Sequence, residues 1–250
     1  MISLKGKIAL VTGGSRGIGR ATAIMLGRAG ADVGVTYHTR RQDAEAVAKE
    51  IDALGRRSWV GGGDLGDSAV VERLFQDFRS QFGRLDLFVG NAGIWPPEAV
   101  PLRDLPLERW RETMQANLDS IYFTTRAALR MMPAGGRVIL IASTAAQRGE
   151  SFHADYAASK GAMIALTKSL AVECAPGITV NCVAPGWVDT EMAEPAYVDG
   201  GRDRISQTIP MGRPASPEDI AGPIVFLCSD LARHITGEVL NVNGGSVLCG

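Results

Sequence analysis

Strand-like and helix-like segments alternate along this chain, and that alternation admits few folds. Short, β-rich apolar runs fall at 7–12, 32–37, 57–61, 85–89, 137–142, 178–183 and 238–242, and helical patterns fill 17–29, 41–54, 68–82, 107–131, 155–175 and 217–229 between them. Repeated strand–helix–strand order builds a parallel sheet through right-handed crossovers, with helices on both faces. No linker, repeat or low-complexity tract divides the 250 residues, so 1–250 is expected to be one domain with a substantial core. The one long irregular stretch, 186–217, is rich in Gly, Pro and charge. A loop that long in a compact domain is expected to be a lid over the substrate site or a surface excursion.

Composition narrows the function classes. Hydrophobic residues at 46% and charged residues at 21% are those of a soluble globular protein. A net charge of −1 points to neither nucleic acid nor an anionic membrane as partner. The first apolar run, Ile8 to Val11, is too short for a signal peptide, and no run approaches the ~20 residues of a membrane span. The four cysteines (Cys174, Cys182, Cys228, Cys249) form no C-x-x-C and no disulfide framework, so a reduced, cytoplasmic enzyme is expected. With only His38, His153 and His234, and no H-E-x-x-H, no metal site is expected.

The first strand runs directly into Thr12-Gly13-Gly14-Ser15-Arg16-Gly17-Ile18-Gly19 and then a helix. Glycines there allow a sharp turn and close approach of backbone to a pyrophosphate, whose charge the N–H groups at the helix start bind. The same residues match G-x-S-x-G, which would make Ser15 a hydrolase nucleophile. That elbow belongs after later strands, and a glycine-rich, Arg-flanked turn on strand one suits phosphate, with Ser15 bonding a cofactor. NAD enzymes tend to place an acid about 20 residues further on, for the ribose 2′-hydroxyl. Here the second strand ends Thr36-Tyr37-His38-Thr39-Arg40-Arg41, with no acid until Asp43. Arg16, Thr39 and Arg40 suit a 2′-phosphate, so NADP(H) is expected rather than NAD(H). Arg40 and Arg41 also read as the start of a solvated helix.

Tyr156-Ala157-Ala158-Ser159-Lys160 places a phenol and an ammonium on one helical face. A nearby cation favours phenolate and draws the phenol toward the working pH. On its own such a pair is commonly amphipathic surface.

Taken in order, Thr12–Gly19, Asp64-Leu65, Asn91-Ala92-Gly93, Asn117, Ser143, Tyr156-x-x-x-Lys160, Asn181, Pro185-Gly186, Gly237 and Asn243-Gly244-Gly245 make the whole chain resemble a short-chain dehydrogenase/reductase, on its 3-oxoacyl-carrier-protein reductase-like branch. The resemblance implies an α/β fold: a single-domain Rossmann fold with a doubly wound, seven-stranded parallel sheet. It implies roles for individual residues too. Asp64 would contact adenine, with Leu65 beside it, though a strand-end cap explains Asp64 equally. Asn91, Ala92 and Gly93 would border the adenosine ribose. Pro185-Gly186, Val188 and Thr190 would meet the carboxamide and phosphates. Ser143 would bond the substrate oxygen, and Tyr156 would exchange a proton with it. Lys160 would hold the nicotinamide ribose and lower the Tyr156 pKa. Asn117 would hold a water linking Lys160 to solvent, and it also reads as a helix-surface residue.

Some positions depart from that pattern. Gly90 stands where a second Asn is frequent, and Asn243 where Asp is usual. Ala175-Pro176-Gly177 occupies the spot just before G-I-T-V-N that is often basic in carrier-protein reductases, where an acidic partner would want positive charge. Trp95, Pro96, Gln147, Phe152, His153, Trp187, Met192 and Tyr197 are candidate walls for an apolar carbonyl substrate, with ordinary packing the alternative for each. His153 also reads as the opening of the Tyr156 helix. The expected activity is reversible reduction of a ketone or 3-oxoacyl-type carbonyl with NADP(H). The alternatives are an NAD-dependent alcohol or sugar dehydrogenase of the same family, or a non-catalytic nucleotide-binding protein. An epimerase or dehydratase would run longer, with a C-terminal substrate domain. The resemblance also implies a homotetramer joined through 107–131 and 155–175, whose small residues Ala157, Ala158, Gly161, Ala162 and Ala165 permit close helix approach.

Overall fold

The computed structural model describes residues 2–249. Its elements run β1 (Ile8–Val11), α1 (Gly17–Arg28), β2 (Asp32–Tyr37), α2 (Arg41–Ala53), β3 (Ser58–Gly62), α3 (Ser68–Phe82), β4 (Leu87–Gly90), α4 (Leu107–Met114), α5 (Ser120–Leu129), β5 (Gly136–Ile141), α6 (Ala145–Arg148), α7 (Ala154–Glu173), β6 (Ile178–Pro185), α8 (Glu194–Tyr197), α9 (Gly201–Gln207), α10 (Pro217–Leu227) and β7 (Val239–Val242). All strands are parallel, in the order β3-β2-β1-β4-β5-β6-β7. The sheet is therefore the expected seven-stranded, doubly wound one.

The strands are apolar on both faces because both are covered. Within β1, Ala9 and Val11 pack on α1, α2 and α10 through Leu26, Ile51 and Ile224. Ile8 and Leu10 face α3, α5 and α7 through Phe78, Ile121 and Met163. A period-2 side-chain alternation thus feeds two cores rather than one core and solvent. Two helix starts carry clear caps. Asp67 accepts from the backbone of Ala69 and Val70 before α3, and Ser216 and Asp219 form a capping box on α10. Among the described residues no helix is long and apolar enough to cross a membrane.

Two expectations need correction. The helix expected over 107–131 is not continuous: a π-helical turn at Gln115–Asp119 separates α4 from α5, and Asn117 sits in it. Such a bulge adds a residue to the ladder and turns a side chain inward, as functional π-turns commonly do. The stretch 186–217 is not simply irregular. It carries α8, a 3-10 turn at Val198–Gly200 and α9, and it is pinned at its base by a bridge between Val188 and Ala215. These pieces are too short to show a helical period in sequence. A short helix that the sequence did not announce, α6, follows Ser143.

Candidate active site

Strand order reverses about β1, whose neighbours are β2 and β4, so a crevice opens beyond the carboxyl ends of β1 and β4. Thr12 and Asn91 fasten those two ends together. The Thr12 hydroxyl accepts from the backbone of Asn91 at 2.9 Å and of Ala92 at 3.0 Å, and Asn91 Nδ2 donates to the Thr12 carbonyl at 2.9 Å. Over this clasp the glycine turn bends into α1. Gly17 has φ +52, and a Cβ on Gly19 would run into the Gly13 carbonyl oxygen. Arg16 holds the N-cap position without a side-chain hydrogen bond to the helix start, so the first N–H groups of α1 are left for an external anion. The turn fits the pyrophosphate of a dinucleotide.

The cleft at this turn is lined by Gly13, Ser15, Arg16, Gly17 and Ile18, and by Tyr37, His38, Thr39 and Arg40 from the end of β2. Asp64, Leu65, Asn91, Ala92, Gly93 and Thr190 complete the expected wall. Gly19 lies beneath the turn rather than on the cleft surface. Asp64 Oδ1 accepts from Gly66 N at 2.8 Å, so this carboxylate does cap its own turn while facing the cleft.

The expected phosphate-binding arginines have a partner that the sequence did not reveal. Glu191 Oε2 takes Arg16 Nη1 at 2.5 Å and Arg40 Nη2 at 2.9 Å. Arg40 also lies 3.5 Å from Asp43. No local pattern marks Glu191. Its only signal is its place between Thr190 and Met192, both of which reach the cleft.

A second cleft shares Ile18, Asn91, Gly93, Ile94, Thr190 and Met192 with the first, so the two form one continuous groove. Ser143, Tyr156, Lys160, Pro185, Gly186 and Val188 line it. Ser143 follows β5, and its Oγ accepts from Ala145 N at 3.1 Å. Tyr156 lies in the first turn of α7. Burial pushes its phenol up to about 12; the Ser143 hydroxyl works against that shift, and the Glu150 carboxylate adds to it. Lys160, one turn on, is 5% exposed, and burial brings its ammonium down to about 8. Its Nζ donates to the Ile141 carbonyl at 2.9 Å and lies 5.9 Å from the Tyr156 ring centroid. The expected lowering of the Tyr156 pKa by Lys160 is thus not what governs the phenol here: burial prevails, and the ammonium bonds to β5.

Asn117 is fully buried, not a helix-surface residue. Its Oδ1 accepts from Ile94 N at 2.7 Å, and its Nδ2 donates to the Ile94 carbonyl and to Ser159 Oγ, each at 3.0 Å. A Cβ on Gly93 would sit 2.8 Å from Asn117 Oδ1 and 3.3 Å from Lys160 Nζ, so only glycine passes between them.

Of the proposed substrate walls, Trp95, Trp187 and Met192 line the second cleft. Trp95 and Trp187 meet edge to face at 5.8 Å, and Tyr197 packs behind Trp187 at 6.3 Å. Gln147, Phe152 and His153 do not line it. α6 turns Gln147 away toward Asn241, to which its Nε2 donates at 2.6 Å. Phe152 is 54% exposed with φ +66. His153 is buried behind Trp95, stacked at 5.0 Å, at the N-cap position of α7. Two charged residues that were not anticipated, Arg148 and Glu150, do line the cleft, and Glu150 accepts from Trp95 Nε1 at 3.2 Å. Among the described residues no cluster of side chains could hold a metal ion.

A family model described as Enoyl-(Acyl carrier protein) reductase matches residues 13–246. The 3-oxoacyl-[acyl-carrier-protein] reductase FabG of Escherichia coli (strain K12) is 40% identical over 247 residues, covering 98% of each chain. A short-chain dehydrogenase/reductase structure from Brucella melitensis superposes with a TM-score of 0.92 at 32% identity, covering 99% of each chain. A short-chain dehydrogenase from Burkholderia cenocepacia J2315, solved in complex with NADP, superposes with a TM-score of 0.91 at 38% identity, covering 97% of this chain and 98% of that one.

Proposed function

Because the chain belongs to the short-chain dehydrogenase/reductase family of oxidoreductases, we propose that it interconverts a ketone or 3-oxoacyl-type carbonyl and the secondary alcohol, with NADP(H) as cofactor. The observation that carries this reading is the single groove in which a phosphate-binding turn runs into a pocket holding Ser143, Tyr156 and Lys160. Two hydroxyls beside each other suit hydrogen bonding to one substrate oxygen.

The glycine turn would hold the pyrophosphate, with Asp64 and Asn91 along the adenosine and Pro185, Gly186, Val188 and Thr190 along the nicotinamide side. Bound NADP(H) supplies or takes the hydride. The chain's own residues handle the oxygen. Tyr156 holds the proton that the substrate oxygen gains on reduction and gives up on oxidation, and Ser143 bonds to the same oxygen. Below pH 8 Lys160 carries a positive charge on the cofactor side of Tyr156. Trp95, Trp187, Met192 and Ile94 present an apolar wall to the substrate and exclude water. The segment 186–217, which carries Trp187 and Met192, acts as the lid. The FabG relative's name supports the 3-oxoacyl class. Ala175-Pro176-Gly177 offers no cation to an acidic carrier protein, so a free ketone substrate fits this chain as well.

Fluorescence titration with NADPH and NADH tests the reading. Tighter NADPH binding, weakened in Arg16→Ala and Arg40→Ala, is expected, and it leads to a ketone screen with NADPH. Preference for NADH would favour the alternative NAD-dependent dehydrogenase, and binding of neither would favour a non-catalytic protein. We also propose a homotetramer joined through 107–131 and 155–175, whose outer faces expose Tyr122 at 51% and Val172 at 80%. A light-scattering mass near 26.5 kDa would overturn that.

A further inference from the structure

We propose that Glu191 is a cofactor-selectivity residue: its carboxylate occupies the position on Arg16 and Arg40 that a 2′-phosphate needs, and so it weakens NADP(H) binding while leaving NAD(H) binding alone. The inference rests on the NADP(H) reading of this cleft and names a residue that opposes it. Arg16 comes from the turn after β1, Arg40 from the end of β2 and Glu191 from the segment after β6, so three parts of the chain converge here. One oxygen, Glu191 Oε2, accepts from both guanidinium groups at 2.5 and 2.9 Å. Asp43, 3.5 Å from Arg40, brings a second carboxylate to the cluster. Two cations against two anions leave the cluster neutral where a phosphate would otherwise meet positive charge. A 2′-phosphate competes with the Glu191 carboxylate for both guanidinium groups. A 2′-hydroxyl carries no charge to that point and has nothing to displace.

The position of Glu191 gives the competition a second consequence. Thr190 and Met192, on either side of it, both line the shared part of the groove, and Met192 reaches the substrate pocket. The Glu191 pairs therefore tie the segment carrying the substrate wall to the cofactor loops. A phosphate that displaces the carboxylate loosens that tie, whereas a hydroxyl leaves it in place.

Glu191→Gln keeps the shape of the side chain and removes its charge, giving the cluster a net charge of +1. Its half-exposed side chain makes a folding defect a minor concern, and Glu191→Ala serves as the second variant. Each is titrated with NADPH and NADH by fluorescence, and with adenosine 2′,5′-bisphosphate and 5′-AMP by calorimetry, so that no readout depends on turnover. Two exposed pairs of ordinary strength predict that NADPH and the bisphosphate bind roughly 3- to 10-fold more tightly to both variants, with NADH and 5′-AMP unchanged. The added cation should also steepen the loss of NADPH affinity with salt. Unchanged or weaker NADPH binding in both variants overturns the inference, and so does equal tightening of NADH. The wild-type titration judges the cofactor reading separately. If the wild type prefers NADH, that reading fails, and a gain of NADPH binding in Glu191→Gln still decides for Glu191 while its absence decides against.

Discussion

The side-chain amide of Asn117 pairs with the backbone of Ile94 at both ends, Oδ1 accepting from N–H at 2.7 Å and Nδ2 donating to the carbonyl at 3.0 Å. The pairing imitates a rung of sheet and holds the loop after β4, with Gly93 and Trp95, against the start of α7, where the same Nδ2 reaches Ser159. It depends on the π-turn at Gln115–Asp119 to aim Asn117 inward. Asn117→Ala leaves the Ile94 groups and Ser159 without this partner, and should lower unfolding free energy by about 1–3 kcal/mol. Urea unfolding monitored by circular dichroism measures the loss. A change within the ordinary scatter of surface substitutions would show that the pairing is dispensable.

Tyr156 should be the acid of reduction at neutral pH, because burial holds its phenol near 12. Tyr156→Phe removes that proton and little else. Turnover is expected to fall by at least ~10²-fold with NADPH affinity unchanged. The sign of the pH effect follows from the raised pKa. Phenolate, the base of alcohol oxidation, grows more plentiful as pH climbs toward 12, so oxidation should accelerate from pH 7 to 10 while reduction does not. A flat oxidation profile would remove Tyr156 from the proton step.

How legible this chain was follows from which interactions are local. The strands could be read because each is a continuous apolar run, and the glycine turn because its spacing falls directly after β1. The π-turn was not readable. One extra residue in a helical ladder barely disturbs the 3.6 period, so 107–131 reads as a single helix, and only the family resemblance, not the helical pattern, singles out Asn117. Gln147 and Phe152 are candidate walls by residue type, but the direction of α6 sends Gln147 to Asn241, and Phe152 is exposed. Glu191 carries no local signal, because its partners lie 175 and 151 residues away.

Burying Lys160 should cost stability in a pH-dependent way. Its folded pKa is lowered to about 8 from an ordinary value near 10.5. Below pH 8 both folded and unfolded chains carry the proton, and the full cost of the buried charge is present. Between pH 8 and 10.5 the folded chain sheds the proton while the unfolded one keeps it, so the cost is relieved. The stability of the wild type relative to Lys160→Met should rise across that window, by at most about 3 kcal/mol. Chemical denaturation of both proteins from pH 7 to 10 checks it, and a constant difference would refute the shift.

Asp155 is the opposite case. Burial pushes its carboxyl up, but hydrogen bonds from Arg109, Thr113 and the Tyr156 backbone outweigh it and leave the pKa below the ordinary carboxylate value. Arg109 Nε meets Asp155 Oδ2 at 3.0 Å, Thr113 Oγ1 meets it at 2.9 Å, and Arg109 Nη1 reaches the Glu98 carbonyl at 2.6 Å. One fully buried carboxylate thereby fastens α4 and the Glu98 loop to the first turn of α7, beside Tyr156. A depressed folded pKa contributes stability that is present above the unfolded value near 3.9 and lost as pH falls through the folded one. Asp155→Asn leaves the partly buried Arg109 without its anion and should cost up to about 3 kcal/mol at pH 7. The gap between wild type and variant should narrow as pH falls below 4, first as the unfolded carboxyl and then, at lower pH, the folded one takes up its proton. Denaturation at pH 7 and at pH 3 measures both. A gap that does not change with pH would mean that the carboxyl's charge is not what holds these elements together.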